Sequence, residues 1–349
     1  MSKPSSSNPI ALEGIVLSHY RTKYLRHVRV DPPPEVLANN RVAYLVNYYS
    51  TSHQNEGRRT GNSAELKKRS MASYLGTSTT MVTCDDGLNL PPFTKVAGET
   101  HNEVVRIPSF TLGRRLRAMT SFLAYSRWLW KARNSYDVLV CFNAPIHIAL
   151  PSIILKWLTG IAVLIDFEDD YTARSGHWLS TFGQRLLLPH VDGAILVNEA
   201  MANKLPTGVH FSVVNAFADL SYMSTDLLNR DATPLRLVYS GSFDEVRGAD
   251  LLEPLVTALE QQELDFELHM TGFGPLTSIG ERLHNGTNIW FHGFLSEEEL
   301  NQIVIDSHVG LVLQKPDLPF SKGSFPSKVM LYAKYNTPCL VVMPQHSEP

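Results

Sequence analysis

Cysteine is scarce in this 349-residue chain: Cys84, Cys141 and Cys339 are far apart and odd in number. That pattern excludes a disulfide framework and a zinc spacing, and it predicts a reducing compartment. Charge is sparse as well, at 19% of residues, and nearly balanced, with 31 basic and 34 acidic residues for a formal net charge of −3. A general nucleic-acid binder carries a basic excess that is missing here, so nucleic acid is not expected as a partner. Long apolar runs are lacking. The most apolar stretch, Ile146 to Ile165, is broken by Pro151, Lys156 and Gly160. It reads as helix, turn and strand, whereas a membrane span needs ~20 apolar residues in a row. The opening residues hold no apolar core of signal-peptide length. These absences predict a cytoplasmic protein.

What is present is an ordinary globular composition, 44% hydrophobic, in a chain long enough for two domains at ~100–200 residues each. Residues 1–40 are polar and proline-rich, and read as an N-terminal extension with order beginning at Arg41. Strands are expected at 42–46, 80–84, 136–142, 161–166, 193–197 and 209–214, with helices at 63–74, 113–134, 148–158 and 179–188. A linker follows around 220–234. The second half alternates more cleanly, with strands at 235–239, 266–270, 289–291, 309–313 and 339–342 and helices at 248–262, 296–306 and 326–335. Ser296 followed by Glu299 is a capping box, and Pro326 suits a first helical position. Such alternation means βαβ crossovers and parallel sheets. The expectation is two Rossmann-like domains facing each other across a cleft, over 41–225 and 226–349.

Open parallel sheets bind ligands at the carboxyl ends of their strands, so the residues after each strand carry the argument. In the second half these are Ser240-Gly241-Ser242 leading to Arg247-Gly248, Thr271-Gly272-Phe273-Gly274-Pro275, His292-Gly293, and a long loop into Phe325-Pro326-Ser327-Lys328. Glycines let a backbone approach a ligand closely, and a Gly-Ser segment entering a helix presents N–H groups to an anion. Arg247 and Lys328 would add cations. Alone, a Gly-x-Gly after a strand more often makes a tight turn, and a lone Arg or Lys is most often a solvated charge. The ordered set points to a phosphorylated ligand, a nucleotide, held mainly by the second half.

That ordered set resembles the nucleotide-sugar-binding half of glycosyltransferase family 4, the retaining GT-B enzymes, in the Phe-Pro-Ser-Lys branch used in bacterial surface-polysaccharide assembly. The resemblance covers about residues 41–342 and includes Thr337-Pro338 after the phosphate-binding helix. It implies a GT-B fold whose C-terminal portion is shortened. It also implies transfer of a hexose or amino-hexose from a nucleotide-sugar co-substrate to a hydroxyl, the acceptor being a lipid-linked or growing surface glycan. Arg247 and Lys328 would then hold the donor diphosphate and stabilise the leaving group, helped by Gly323, Ser324 and Ser327. Gly241, Gly272, Gly274 and Gly293 would shape the donor pocket. On the acceptor side the resemblance implies a loop from Gly57 to Gly61, with Glu168 and Asp169 facing the cleft. Read without the resemblance, the acidic cluster from Asp166 to Asp170 serves equally well as a solvated loop or helix cap. No metal and no other cofactor is expected.

The chain departs from the family pattern at three positions. The Glu-x7-Glu acids fall at Gly323 and Leu331, and the first basic residue of the usual pair falls at Ser242. Two other readings therefore stay open: a catalytically silent GT-B subunit partnering another glycosyltransferase, and a GT-B sugar-nucleotide epimerase. Residues 113–134 carry six cations, no acid and four aromatic residues. They could lie on an anionic membrane surface, which would suit a lipid-linked acceptor, or simply pack as an amphipathic helix.

Overall fold

The computed structural model describes residues 31–37, 39–46, 62–76, 78–84, 93–101, 103–110, 112, 116–173, 178–217, 233–315, 318, 321 and 325–342. The first sheet is built from β1 (Val42–Leu45), β2 (Thr79–Thr83), β4 (Glu99–His101), β5 (Val104–Arg106), β7 (Val138–Phe142), β8 (Ala162–Phe167), β9 (Gly193–Leu196) and β10 (His210–Val213). β3 (Lys95–Val96) and β6 (Ser109–Phe110) pair with each other as a small ribbon. The strand order is β10-β9-β8-β7-β1-β2-β5-β4, parallel throughout except for β4, which runs antiparallel to β5. β1 and β7 read as unbroken apolar runs, and β8 as one broken only by Asp166, because helices cover both faces.

On one face lie α2 (Arg117–Ala132), α3 (Ile146–Thr159) and α4 (Trp178–Leu187). They bury Tyr125, Leu129, Ile148, Ile153 and Leu187 against the sheet. On the other face α1 (Asn62–Leu75) contributes Met71, Ala72 and Leu75, where a fully buried side chain of Leu or Met size is worth ~1.5–3 kcal/mol. Gly160, in the left-handed region at φ 75°, ends α3 by donating its N–H to the Lys156 carbonyl.

The second sheet has the order β13-β12-β11-β14-β15, wholly parallel. Its strands are β11 (Leu235–Ser240), β12 (Phe266–Thr271), β13 (Ile289–Phe291), β14 (Val309–Val312) and β15 (Cys339–Val341). α5 (Leu252–Gln261) and α6 (Thr277–Leu283) cover one face with Leu252, Val256 and Ile279. α7 (Glu297–Asp306) and α8 (Lys328–Lys334) cover the other with Val304, Val329 and Tyr332. The capping box at Ser296 is formed, the Ser296 hydroxyl accepting from the Glu299 N–H while the Glu299 carboxylate accepts from the Ser296 N–H.

β11 and β14 are paired only at Leu237–Val309 and Val238–Gly310, and then diverge. The buried Tyr332 phenol fills the gap. Its oxygen accepts from the Ser240 N–H at 3.3 Å and lies 3.3 and 3.4 Å from the Val238 and Leu311 carbonyls. The Tyr332 ring lies flat on Gly310, where a Cβ would come within 2.5 Å of it. Both sheets reverse strand order, between β1 and β7 and between β11 and β14, and such switch points open crevices at the carboxyl ends.

Several expectations need correction. The stretch just before Arg41, read as part of an extension, is already packed on the sheet from Asp31, the first described residue. The Asp31 N–H donates to the Val213 carbonyl and its carboxylate accepts from the Val213 N–H, pinning the segment to the edge strand β10. Pro32 accepts from the Ser212 hydroxyl, and Leu37 is buried. β3 to β6 and α6 were not expected. The helix read as 248–262 opens as a 3₁₀ turn over Ala249–Leu251. The helix read as 326–335 begins only at Lys328. Of the linker expected around 220–234, all but Thr233 and Pro234 lies outside the described residues.

Candidate functional site

The crevice propped by Tyr332 gathers residues from four elements. Lys328, at the start of α8, places its Nζ 4.0 Å from the centroid of the Tyr239 ring at the end of β11. It forms no ion pair among the described residues. Burial, reinforced by the positive charge of Arg247 and opposed by Asp244, pushes its pKa down to about 7. Arg247 is positioned from both ends. Its N–H donates to Asp244 Oδ1 at 2.8 Å, its carbonyl accepts from the Tyr239 hydroxyl at 3.2 Å, and its guanidinium donates to Gln314 Oε1. The structure thus brings together two cations 81 positions apart in sequence (328 − 247) at the mouth of the switch point. Like charges held this way favour a dianion between them.

The glycines play unequal parts. Gly241 (φ 138°) lies directly under Lys328, and a Cβ there would strike the Lys328 Cε. Gly272 (φ 135°) and Gly274 face protein, their missing Cβ atoms replaced by the Gly241 and Phe243 carbonyls. This close packing lets the loops after β11, β12 and β13 extend the sheet. Gly241 N–H donates to the Thr271 carbonyl at 3.0 Å, Phe243 N–H to the Phe273 carbonyl at 3.0 Å, and Gly272 N–H to the Gly293 carbonyl at 2.7 Å. Gly293 (φ 65°) borders open space. Gly272 and Gly274 therefore shape the crevice by seating the Gly241 loop, and only Gly293 offers an open wall.

The helix-start reading of α8 also changes. The Val329 and Met330 N–H groups already donate to the Pro326 and Ser327 carbonyls, both at 3.0 Å, and Ser327 makes no side-chain cap. Gly323 and Ser324 lie outside the described residues. Phe325 reaches away from the second sheet and packs against the first half's core. Leu331 lies with the Val238 and Val304 cluster.

In the first half, the equivalent switch point is organised by Asn143, which with Ala144 holds a positive φ (48° and 41°) directly after β7. Asn143 Oδ1 accepts from the Glu168 and Asp169 N–H groups at 2.8 Å each, and its amide donates to Asp169 Oδ2 at 3.2 Å. Gln184 on α4 completes the frame by donating to the Asn143 and Asp169 carbonyls. Gly183 lets α4 approach, since a Cβ there would meet the Ile146 N–H. Asp169 is thus a structural partner of Asn143. Glu168 is paired with Lys67 of α1 at 3.0 Å, so the expected acceptor-side pair divides into an ion pair and a loop anchor. Gly57 to Gly61 lie outside the described residues.

Asp166, read with the acidic cluster as part of a solvated loop or helix cap, is instead buried at the end of β8, where its carboxylate accepts from the Tyr44 hydroxyl at 2.6 Å. Burial, with Glu168 adding to it, pushes its pKa up to about 8. Asp170 is held below the usual range because the Lys204 and Thr172 contacts outweigh its burial. His292 Nε2 meets His269 Nδ1 at 3.0 Å, and His308 Nδ1 accepts from the Arg236 N–H; these imidazoles serve the sheet. Among the described residues no group of three His, Cys, Asp or Glu is placed to hold a metal.

No protein-family model matches this chain, and no curated protein sequence matches it. Solved structures do. HepE of Anabaena in complex with UDP is similar at TM-score 0.56 and 11% identity, over 86% of this chain and 80% of that one. The same protein in complex with UDP-glucose gives 0.56 and 12%, over 87% and 80%. The lipopolysaccharide outer core galactosyltransferase WaaB gives 0.51 and 13%, over 87% and 82%. An α,α-trehalose 6-phosphate synthase from Burkholderia multivorans gives 0.53 and 12%, over 86% and 83%. At this identity the likeness shows the fold: two α/β halves with parallel sheets, in the GT-B arrangement of glycosyltransferases.

Proposed function

We propose that this chain transfers a sugar from a nucleotide-sugar donor to a hydroxyl of a glycan or lipid-linked glycan, as a retaining enzyme of the family 4 type. The observation that carries the reading is the Lys328–Arg247 pair at the second switch point: the Lys328 ammonium is buried over the Tyr239 ring and stands beside a second positive charge. As the bond from the anomeric carbon to the donor phosphate breaks, its electron pair stays on the diphosphate. The acceptor oxygen forms the new bond and its proton leaves with the diphosphate. Lys328 and Arg247 stabilise that developing charge where water is scarce and no reorganisation is needed. The complexes of HepE with UDP and UDP-glucose favour a uridine nucleotide as the donor.

Calorimetric titration of the chain with UDP, GDP, ADP and dTDP tests the reading. One nucleotide should saturate, and Arg247→Ala should weaken it about tenfold to a hundredfold, the worth of a charge-assisted hydrogen bond to phosphate. A folded chain that binds none of the four overturns it. A second reading, a subunit that binds donor but does not turn it over, is favoured by Leu331, which occupies an expected acid position and packs with an apolar cluster. Donor consumption in the presence of acceptor separates the two.

A further inference from the structure

The layer made by α2, α3 and α4 carries an outer surface that sugar transfer does not use. Met119, Leu123 and Trp130 fall on one stripe of α2 with Arg127 between them, and all are exposed. Trp157 on α3 is 69% exposed, and Trp178 and Phe182 on α4 are 71% and 50% exposed. The inner faces of the same helices already fill the core, so these outward side chains add little to it; Trp157 meets only the edge of the His190 ring, centroids 5.4 Å apart. Aromatic and aliphatic groups gathered on one helical layer mark a contact surface.

The charge on this layer identifies its partner. The three helices contain Arg117, Arg127, Lys131, Lys156 and Arg185 and not one acid, whereas α7 alone has four acids and no cation. Lys156 is paired with Asp192. Arg127, Lys131 and Arg185 are exposed, and the Arg133 guanidinium lies 4.5 Å over the Trp130 ring. A second copy docking here by two-fold symmetry would set cations against cations. A plane of anionic headgroups supplies the missing charge, and tryptophan favours that boundary. We propose that the outer face of α2–α4 seats on an anionic lipid bilayer. The inference stands on this surface alone and is independent of the donor site.

Co-sedimentation of the full chain with phosphatidylcholine vesicles, and with vesicles of equal phosphatidylcholine and phosphatidylglycerol, tests it. Partitioning should require phosphatidylglycerol and weaken with salt. Each of Arg127→Gln, Lys131→Gln and Arg185→Gln should reduce it about fivefold, and the pair Trp157→Ser and Trp178→Ser should abolish it while thermal unfolding stays unchanged. No partitioning by the folded chain overturns the proposal, as does partitioning that all these variants leave intact. Sedimentation velocity showing a dimer that the tryptophan pair breaks, without vesicle binding, would assign the face to a second copy instead.

Discussion

The ammonium of Lys328 rests on the face of the Tyr239 ring, 4.0 Å from its centroid, and the guanidinium of Arg247 supplies the neighbouring charge. An aromatic face attracts a cation by ~0.5–2 kcal/mol but carries no net negative charge. With its pKa at about 7, Lys328 is half deprotonated near neutrality, and a diphosphate entering the crevice restores the proton.

Nucleoside diphosphate binding at about pH 8 should therefore take up protons, and affinity should fall as the pH rises further. Calorimetry in two buffers of different ionisation enthalpy reads the uptake, and Lys328→Ala should remove it. Affinity that stays flat with pH would take the ammonium out of the site. The same shift acts on stability. The folded pKa lies below the unfolded value of about 10.4, so burying this ammonium opposes folding fully below about pH 7. The opposition fades as the pH climbs towards 10.4. Lys328→Met should accordingly raise stability at about pH 6 and make no difference near pH 11.

Asp166 runs the other way. Its folded pKa is raised above the unfolded value of about 3.9, so its burial costs nothing at lower pH. Stability is lost as the pH rises from there through about 8, by up to ~1.4 kcal/mol per pH unit. Asp166→Asn keeps a partner for Tyr44 and should flatten that slope in urea unfolding series. An unchanged slope would assign the loss to other groups.

Gly272 and Gly286 both hold positive φ, but only Gly272 has backbone where a Cβ would go. Gly272→Ala should destabilise by about 3 kcal/mol or more, and Gly286→Ala by only the ~1–2 kcal/mol of the left-handed conformation. Similar losses in equilibrium unfolding would show that the Gly241 loop can move aside.

Phe325 is part of the second half's binding motif yet packs on the first half's core. Phe325→Ala should cost about 1–3 kcal/mol and split a single urea transition into two, because an apolar tie between the halves is cut. One undivided transition would show that other contacts couple them.

The alternation of strands and helices was legible because buried parallel strands are long apolar runs and their helices have a clear period. β3 to β6 were not, because strands of two or three residues carry no period and are made by their neighbours. α6 is seven residues, equally short. Arg247 and Lys328 could be read from spacing and resemblance. Gln314, which holds Arg247, and Asn143 with Gln184, which build the first switch point, could not. Each acts through a tertiary bond to a residue far along the chain. How Gly272 and Gly274 shape the crevice could not be read for a related reason: sequence shows that a side chain is missing but not whether ligand or backbone takes its place.

Lys328 and Tyr332 are one turn apart on α8, so they share a face of that helix, and both meet the end of β11, at Tyr239 and Ser240. The prop that sets how far two strands part and the charge that waits in the opening are therefore mounted on a single rigid rod. Any slide or rotation of α8 changes the width of the opening and the position of its charge together. A ligand that pulls on the ammonium also pulls on the sheet.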